Sequence, residues 1–254
     1  LEILGEIGVS TGGVAVERER LTTEKTRLVS GVNQMLRVDW EETRAPSGAA
    51  MEGLLAAIPG AVAAADAVIL SDYGKGMLAP EIIEATVAAA KRDGTPVLVD
   101  PKGSDFSRYR GATLVTPNRK EAEAAVGREL TGLSALATAG DELIAAADLD
   151  AVVITLGPEG IYWRTAAGEA RRAPTEARKV FDVVGAGDTV IAHLGLGLGA
   201  GLDLGRAVAL ANHAAGLVVA RAGAVSVTRA ELLAAIGQRR TGGGIHRASG
   251  SYGI

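Results

Sequence analysis

The chain of 254 residues contains no cysteine, which excludes disulfide bonds, thiolate metal sites and cysteine nucleophiles. Aromatic residues make up only 3% of it, so a core must be built mainly from alanine, valine, leucine and isoleucine. No apolar run approaches the ~18 residues that a membrane-spanning helix needs, and no signal-peptide pattern opens the sequence. These absences favour a cytoplasmic protein without a membrane partner.

An excess of positive charge is also missing, because the formal net charge is −4. A basic footprint for DNA or RNA is therefore not expected, and an anionic ligand would need cations concentrated locally. A hydrophobic content of 48% with 22% charged residues is typical of a globular protein. The length suffices for one α/β domain with a sizeable core or for two small ones.

Short apolar runs alternate with helix-like segments through the middle of the chain, which predicts a mostly parallel sheet covered on both faces by helices. Residues 22–39 are typical of a small antiparallel hairpin near the N-terminus, 160–173 of a second hairpin, and most of the remainder is helical. The predicted core strands span residues 67–71, 95–100, 112–116 and 151–156. We divide the chain into an N-terminal segment with the hairpin (1–47), a catalytic core (48–240) and a Gly/Ser-rich flexible tail (241–254).

Three glycines lie within or at the end of a helix predicted over residues 187–198. Glycine weakens a helix by ~1 kcal/mol relative to alanine, so its use there predicts close packing against a neighbour. The three residues are Gly195, Gly197 and Gly199.

The most informative stretch is 182–189 (DVVGAGDT), a glycine-rich loop that leads into this helix. Glycines allow close approach of the backbone to a ligand, and the N–H groups and dipole of a helix N-terminus favour anions. A carboxylate beside an anion pocket, as at Asp188, is typical of a general base in phosphoryl transfer. An ordinary glycine-rich turn with Asp188 in the first helical turn is the alternative.

Three further segments accompany this loop, namely 71–76 (SDYGKG), 116–121 (TPNRKE) and 155–160 (TLGPEG). Together and in this order, the four segments resemble the signatures of the ribokinase/PfkB family of sugar kinases, over residues 21–237. Within that family, residues 97–127 are most similar to members that phosphorylate D-glycero-D-manno-heptose 7-phosphate. The resemblance implies a ribokinase-like, doubly wound, mostly parallel sheet with a hairpin lid.

The resemblance also implies roles for individual residues. Asp188 would be the general base, and the N–H groups of Gly185, Ala186 and Gly187 would stabilise developing charge. ATP would be the phosphoryl donor, with Mg²⁺ at Glu121, directly or through water, and a monovalent cation such as K⁺ near Asp182. The nucleotide would contact Asn118, Thr155, Gly157, Gly160 and Asn212, and the sugar phosphate would contact Asp72, Lys75, Lys102 and Arg37.

Local sequence leaves one of these assignments open, since Asn118 and Glu121 have the spacing of a helix capping box. A capping role for these two residues is compatible with the roles in binding nucleotide and Mg²⁺ that the resemblance implies. By resemblance, the reaction would phosphorylate the anomeric hydroxyl of the heptose 7-phosphate to the 1,7-bisphosphate, a precursor of ADP-heptose and the lipopolysaccharide core. The early hairpin resembles a lid that pairs between subunits, so a homodimer is a hypothesis.

Other functions remain as alternatives. Ribose, fructose phosphates and nucleosides are acceptors of other kinases with this fold. A dinucleotide-dependent oxidoreductase would need a third glycine where Val190 stands. Val184 replaces a threonine that relatives often have, and the N-terminal portion with part of the sugar site has no counterpart in this sequence. A truncated, inactive nucleotide-binding remnant is therefore the third hypothesis.

Overall fold

The computed structural model describes residues 1–30, 33–176 and 180–242. Its centre is a six-stranded sheet in which sequence order and spatial order coincide. The first four strands are parallel, and the last two continue the sheet as an antiparallel meander. In order, the strands are β3 (Val68–Ser71), β4 (Val97–Asp100), β5 (Leu114–Val115), β6 (Ala151–Thr155), β7 (Ile161–Thr165) and β8 (Ala170–Ala173).

Helices cover both faces of this sheet, which confirms the predicted fold class. One face carries α2 (Gly48–Ala63), α3 (Pro80–Asp93), α4 (Arg119–Val126) and α5 (Gly132–Ala147). The other face carries α6 (Ala186–Gly199) and α7 (Leu204–Val218). A short helix α1 (Glu2–Glu6) opens the chain and α8 (Arg229–Gly242) follows α7.

The period-two alternation of the strands distributes their side chains between two apolar clusters. In β4, Val97 and Val99 pack into the cluster under α3 and α5, whereas Leu98 packs under α6 and α7. In β6, Val152 and Val153 divide in the same way. Aliphatic side chains thus make up most of both clusters, as expected from the scarcity of aromatic residues.

The predicted N-terminal hairpin is present as β1 (Glu24–Ser30) and β2 (Asn33–Trp40), which pair antiparallel with each other. It forms a separate two-stranded sheet, and every residue of β1 is exposed. Residues 31 and 32 of the predicted turn lie outside the described residues, as do residues 243–254 of the predicted tail. Among the helices that the structure describes, none is both long and apolar enough to cross a membrane.

Helix α2 was not predicted from the sequence. It contains Pro59 in its interior, and Val62 is its one buried residue, so an amphipathic stripe is hardly visible in the sequence. Proline lacks the N–H that an interior helical hydrogen bond requires and normally ends or kinks a helix. Packing of Leu54, Leu55 and Ile58 against the core cluster stabilises the helix instead.

The glycines of α6 pack closely, as predicted. A Cβ at Gly195 would lie 3.2 Å from Cδ1 of Ile69, and one at Gly197 would lie 3.0 Å from Cβ of Ala207. At Gly199 the nearest atom would be the carbonyl oxygen of Asp66, at 3.1 Å. The absence of side chains therefore lets α6 lie directly on β3 and α7, which places the start of α6 at the same edge as the strand ends.

Candidate active site

Polar residues from four parallel strands converge at the carboxyl edge of the sheet. Asp72 follows β3, Asp100 ends β4, Asn118 follows β5 and Thr155 ends β6. The backbone N–H of Asp72 donates to the carbonyl of Asp100 at 2.9 Å, and Asn118 forms an isolated parallel bridge with Thr155. The strand ends are thereby joined laterally, and crevices outside such ends are where ligands bind in open α/β sheets.

Asp72 is buried, and two hydrogen bonds and one ion pair hold its carboxylate. The N–H of Gly74 donates to Oδ1 at 2.7 Å, and the Tyr109 hydroxyl donates to Oδ2 at 2.7 Å. The Arg108 guanidinium forms an ion pair with Oδ2 at 3.2 Å. Burial of a charge is costly unless it is paired and hydrogen-bonded, and all of these partners meet that condition.

Tyr109 connects two of the strand ends. Its side chain is fully buried, its hydroxyl donates to Asp72, and the same oxygen accepts a hydrogen bond from the N–H of Lys102 at 3.1 Å. Burial raises the pKa of Tyr109, so the hydroxyl remains a donor. The guanidinium of Arg108 lies 5.3 Å from the centre of the ring, within cation–π range. Sequence reasoning missed Tyr109, although an aromatic residue in the polar stretch 105–110 is conspicuous in a chain so poor in aromatics.

The pKa of Asp100 reflects the nearby charges of other acidic side chains. This pKa is raised to about 6, first by burial and then by the charges of Glu121 and Asp188, while the charge of Lys102 opposes the rise. A carboxylate from each of three separate segments therefore shares one electrostatic environment. Perturbed carboxylates of this kind concentrate at functional sites.

Asp188 is exposed in the first turn of α6. The turn begins at Gly185, which has φ +76° and so adopts the left-handed conformation that glycine tolerates best. The N–H of Ala186 donates to the carbonyl of Val183 at 3.2 Å, so it is directed at the loop itself. Because the first N–H groups of a helix have no acceptor within it, the N–H groups of Gly187 and Asp188 are the better placed donors for an anion.

An apolar cleft lies beside this turn, between the end of β6 and helices α6 and α7. Four residues predicted to contact the nucleotide line it, together with Ala186 and Gly187 of the loop. Valines 180, 183, 190 and 219 supply much of its apolar wall. The predicted nucleotide residues in the cleft are Thr155, Gly157, Gly160 and Asn212.

Two of these residues shape the cleft through the backbone. Gly160 has φ +94°, and a Cβ there would lie 2.0 Å from the carbonyl oxygen of Ala173, so no other residue fits without a backbone shift. Asn212 is buried, and its Nδ2 donates to the carbonyl of Pro174 at 2.7 Å. Asn212 thereby fixes the segment after β8 against α7.

Asn118 and Glu121 form the complete capping box of α4. The side chain of Asn118 accepts from the N–H of Glu121 at 3.0 Å, and Glu121 Oε2 accepts from the N–H of Asn118 at 3.0 Å. The other oxygen of Glu121 lies 3.8 Å from Nζ of Lys102. The capping box is therefore confirmed. It leaves Glu121 Oε1 outside these hydrogen bonds, near Lys102.

Asp182 joins two loops. Its Oδ1 accepts from the N–H of Val184 at 3.0 Å and its Oδ2 from the N–H of Gly223 at 3.0 Å. These hydrogen bonds, that from Val184 foremost, lower the pKa of Asp182. Within residues 1–30, 33–176 and 180–242, no group of three or more His, Cys, Asp or Glu side chains is arranged to hold a metal ion.

A second pocket, of 410 Å³, lies between the hairpin and the end of β3. Asp72 and Lys75, two of the residues predicted to contact a sugar phosphate, line it, and Lys75 is paired with Glu41. Arg37 is not among its lining residues; its Nε bonds to Asp39 at 2.8 Å on the exposed hairpin. Lys102 does not line this pocket either, and its exposed side chain lies next to Glu121.

Residues 1–230 match the family model described as pfkB family carbohydrate kinase. The bifunctional protein HldE of Trichlorobacter lovleyi is 43% identical over 236 residues, covering 93% of this chain and 48% of that protein. The chain thus spans about half the length of the curated relatives it matches.

Two solved structures share the fold. A ribokinase of Arabidopsis thaliana complexed with ribose and ATP has a TM-score of 0.69 at 19% identity, covering 86% of this chain and 70% of the ribokinase. The phosphofructokinase-2 of Escherichia coli in complex with potassium has a TM-score of 0.62 at 23% identity, covering 74% and 62%. At these identities the likeness concerns the fold alone.

The bridge through Tyr109 predicts a stability difference between two buried tyrosines. Tyr109→Phe removes a donor to a buried carboxylate, and we expect it to lower the free energy of unfolding by about 1–3 kcal/mol. Tyr162→Phe is the matched control, because the Tyr162 hydroxyl is buried with no hydrogen-bond partner in the described part of the chain, while Arg164 bonds to Asp141. Urea denaturation of both variants measures the difference, and equal losses would contradict the bridging role.

The raised pKa of Asp100 predicts a pH-dependent gain on substitution. Its pKa rises from 3.8 to about 6 on folding, so the folded protein binds the proton more tightly, and this group's contribution to stability falls as pH rises through that window. Asp100→Asn removes the free-energy cost of ionising this partly buried carboxyl group. Without metal or nucleotide, we expect its melting temperature to exceed that of the unsubstituted chain by about 2–4 °C at about pH 8 and to equal it at about pH 4.

Asp105→Asn serves as the control for that measurement. The hydroxyl and N–H of Ser107 hold the pKa of Asp105 below its usual value, so its contribution is present above that value and is lost as pH falls. The control should therefore be destabilised at the higher pH, the opposite sign. A pH-independent shift for Asp100→Asn would show that the acidic side chains do not interact as described.

Proposed function

The chain belongs to the pfkB family of carbohydrate kinases, and from that premise we propose that it transfers the γ-phosphate of ATP to the anomeric hydroxyl of D-glycero-D-manno-heptose 7-phosphate. The product would be the 1,7-bisphosphate, a precursor of ADP-heptose and the lipopolysaccharide core. The observation that carries the proposal is the placement of Asp188 and the α6 N-terminus at the same sheet edge as the Asp72 pocket and the apolar cleft.

Asp188 is the general base in this proposal. Its exposed carboxylate accepts the proton of the sugar hydroxyl as the hydroxyl oxygen bonds to the γ-phosphorus. The bond between the γ-phosphorus and the β–γ bridging oxygen breaks, and ADP leaves with that electron pair. The carboxylate's position beside the N–H groups of the first α6 turn supports the role, because those groups stabilise charge on the transferring phosphoryl group.

The apolar cleft is the candidate nucleotide site. Gly157 and Gly160 present backbone without side chains, and the wall of valines offers an apolar surface to a planar base. Ala186 and Gly187 line the cleft, so the phosphates of a nucleotide bound there could reach the N-terminus of α6. The same loop connects the cleft to Asp188.

The acidic edge fits a divalent cation. Burial and the neighbouring charges of Glu121 and Asp188 raise the pKa of Asp100, so negative charge there is incompletely balanced. Mg²⁺ keeps several waters and is typically held by one or two carboxylates plus substrate phosphates, and when bound it neutralises phosphate charge. Glu121 would hold it directly or through water. We assign K⁺ to the loop fixed by Asp182 and Gly223, where the Asp182 carboxylate already orders the backbone.

The heptose acceptor rests on two supports. Residues 97–127 resemble the family members that act on this sugar phosphate. In addition, 93% of this chain aligns with a bifunctional protein HldE at 43% identity. Ribose and fructose 6-phosphate are the competing acceptors within the family. An oxidoreductase is no longer an alternative, since the family is that of carbohydrate kinases.

Substitution of the base tests the proposal. We expect the unsubstituted chain with Mg-ATP and K⁺ to release ADP in the presence of D-glycero-D-manno-heptose 7-phosphate, and Asp188→Asn to lower kcat by about 10²–10⁴-fold with little change in the KM for ATP. Because Asp188 is exposed, the fold should be unaffected. A coupled ADP assay with heptose 7-phosphate, ribose and fructose 6-phosphate in parallel distinguishes the acceptors.

Asp203→Asn is the matched control. Asp203 also stands at a helix start, where its side chain accepts from the N–H of Arg206 at 2.9 Å, and asparagine caps helices equally well. This variant should keep full activity. Turnover that survives Asp188→Asn would refute the assigned base, and absence of turnover on every sugar would favour the inactive nucleotide-binding alternative for this chain.

A homodimer through the hairpin is the second part of the proposal. Large apolar side chains are exposed on it, among them Leu28, Val29, Leu36 and Trp40, and Leu28 is the cross-strand partner of Leu36. A two-stranded hairpin is at best marginally stable alone, so a second copy is a physically reasonable cover for these residues.

Light scattering tests this association. We expect the chain to have the mass of a dimer, and the double substitution Leu28→Lys and Leu36→Lys to give a monomer at the same concentration. Leu133→Lys introduces the same change at an exposed leucine of α5 and should leave the dimer intact. A monomeric unsubstituted chain would refute the homodimer.

A further inference from the structure

The loop that follows β3 is held in one particular shape. It spans residues 72–78, and Gly74 and Gly76 give it two turns through the left-handed region, with φ +65° and +81°. Glycine adopts many conformations at little cost, so contacts from outside the loop must select this one. Tyr73 and Met77 of the loop line the pocket between the hairpin and the end of β3. The shape of the loop therefore determines the shape of this pocket.

Arg108 reaches both ends of this loop. Its Nη1 lies 3.2 Å from Oδ2 of Asp72, and its Nη2 donates to the carbonyl oxygen of Leu78 at 2.6 Å. A planar guanidinium with several donors in fixed directions can make two such contacts at once, whereas a lysine ammonium is a single point of charge. One side chain thus sets the separation between the first residue of the loop and the last.

A rigid element carries this guanidinium. Arg108 belongs to a 3₁₀ helix, Phe106–Tyr109, whose two aromatic side chains are buried in the core cluster. The Tyr109 hydroxyl also accepts a hydrogen bond from the N–H of Lys102 at 3.1 Å, which fixes the segment between this helix and β4. The position of the guanidinium is therefore determined by packing in the core, and the loop adapts to it.

Contacts within the protein occupy most of the acceptor capacity of Asp72. Its Oδ1 accepts from the N–H of Gly74, and its Oδ2 faces both the Tyr109 hydroxyl and Arg108. A carboxylate has about four lone-pair sites, and these three partners fill three of them. The Asp72 side chain is only 4% exposed, so a sugar hydroxyl has little access to the fourth. Asp72 therefore suits a role in fixing the loop better than a role in contacting an acceptor.

Arg108 is not among the residues that line the pocket, so it acts on an acceptor through the loop. We propose that Arg108 is a positioning residue for the acceptor, which fixes the 72–78 loop by joining Asp72 to the carbonyl of Leu78, and that Asp72 serves this network instead of contacting the acceptor. The assignment rests on the proposed sugar kinase function. It adds a residue outside the pocket on which the shape of the pocket depends.

Loss of these contacts should weaken acceptor binding and leave phosphoryl transfer intact. We expect Arg108→Gln and Arg108→Lys each to raise the KM for heptose 7-phosphate by about tenfold, because each removes a hydrogen bond from a charged donor. The kcat and the KM for ATP should change by less than about twofold, the pattern of lost ground-state binding. Arg108→Lys keeps a positive charge beside the buried carboxylate, which guards against unfolding of the variant.

Arg110→Gln is the matched control. Arg110 lies two positions further along the chain, and its guanidinium also donates to a backbone carbonyl, that of Ala146, at 2.9 Å. The substitution therefore removes the same kind of hydrogen bond without touching the 72–78 loop. This variant should keep the KM for both substrates.

A double-mutant cycle tests the role of Asp72. We expect Asp72→Asn to raise the KM for the acceptor about as much as Arg108→Gln does, and the double variant to be no weaker than either single variant, because both substitutions break one network. A direct contact between Asp72 and the acceptor would instead make the two losses add. Additive losses would therefore refute the proposed role of Asp72.

Two measurements on the whole chain need no turnover. Amide hydrogen exchange without ligand should be faster in the 72–78 loop of both Arg108 variants and unchanged in α5, because the effect is local. Arg110→Gln should leave exchange in the loop unchanged. Calorimetric titration with heptose 7-phosphate gives the acceptor affinity directly, and the Arg108 variants should bind it about tenfold more weakly.

The outcomes separate the positioning role from the kinase function. Faster exchange in the loop with weaker acceptor binding, but no ADP release by any variant, would support the role of Arg108 and count against kinase activity of this chain. ADP release with an unchanged KM for the acceptor in both Arg108 variants would refute the role and leave the kinase function standing. Faster exchange throughout the chain would also refute it, since Arg108 would then stabilise only the fold. An unsubstituted chain that neither binds nor phosphorylates any sugar would refute both proposals.

Discussion

Negative charge at the carboxyl edge of the sheet is the constraint on which the rest of the site depends. Asp72, Asp100, Glu121 and Asp188 come from four different segments, yet they share one region where phosphate groups would add further negative charge. Three of these acids are accommodated in different ways within the protein. Asp72 contacts the Arg108 guanidinium and the Tyr109 hydroxyl, and Glu121 caps a helix beside Lys102. The pKa of Asp100 is raised, which favours its protonated form. Asp188, the fourth, is exposed in the first turn of α6.

Much of this edge could be predicted from sequence, because parallel strands place their carboxyl ends on one side. Asp72, Asn118 and Thr155 each follow or end a short apolar run, so their convergence follows from topology alone. The helix N-terminus at Gly185–Asp188 could be predicted from its glycines, and the close packing of α6 from Gly195 and its neighbours. Regular elements and local spacing carry that information.

Contacts between distant segments could not be predicted in the same way. Nothing near Tyr109 in the sequence indicates that its hydroxyl reaches Asp72, 37 positions earlier, since the contact depends on how a short 3₁₀ turn packs under two strands. Glu41 and Lys75 are likewise 34 positions apart. Helix α2 could not be predicted for a different reason. Pro59 disfavours a helix locally, and tertiary packing overrides that preference.

The tight contact at Gly76 also gives the hairpin a mechanical property. Backbone carbonyls of residues 43 and 44 rest against Gly76, so the hairpin leaves the core at a fixed pivot. The eight residues of β2, at about 3.3 Å each, form an arm about 26 Å long. A rotation of about 10° at the pivot would displace the far end of that arm by about 4.5 Å, so a small change of angle beside Gly76 becomes a much larger movement at the end of the hairpin.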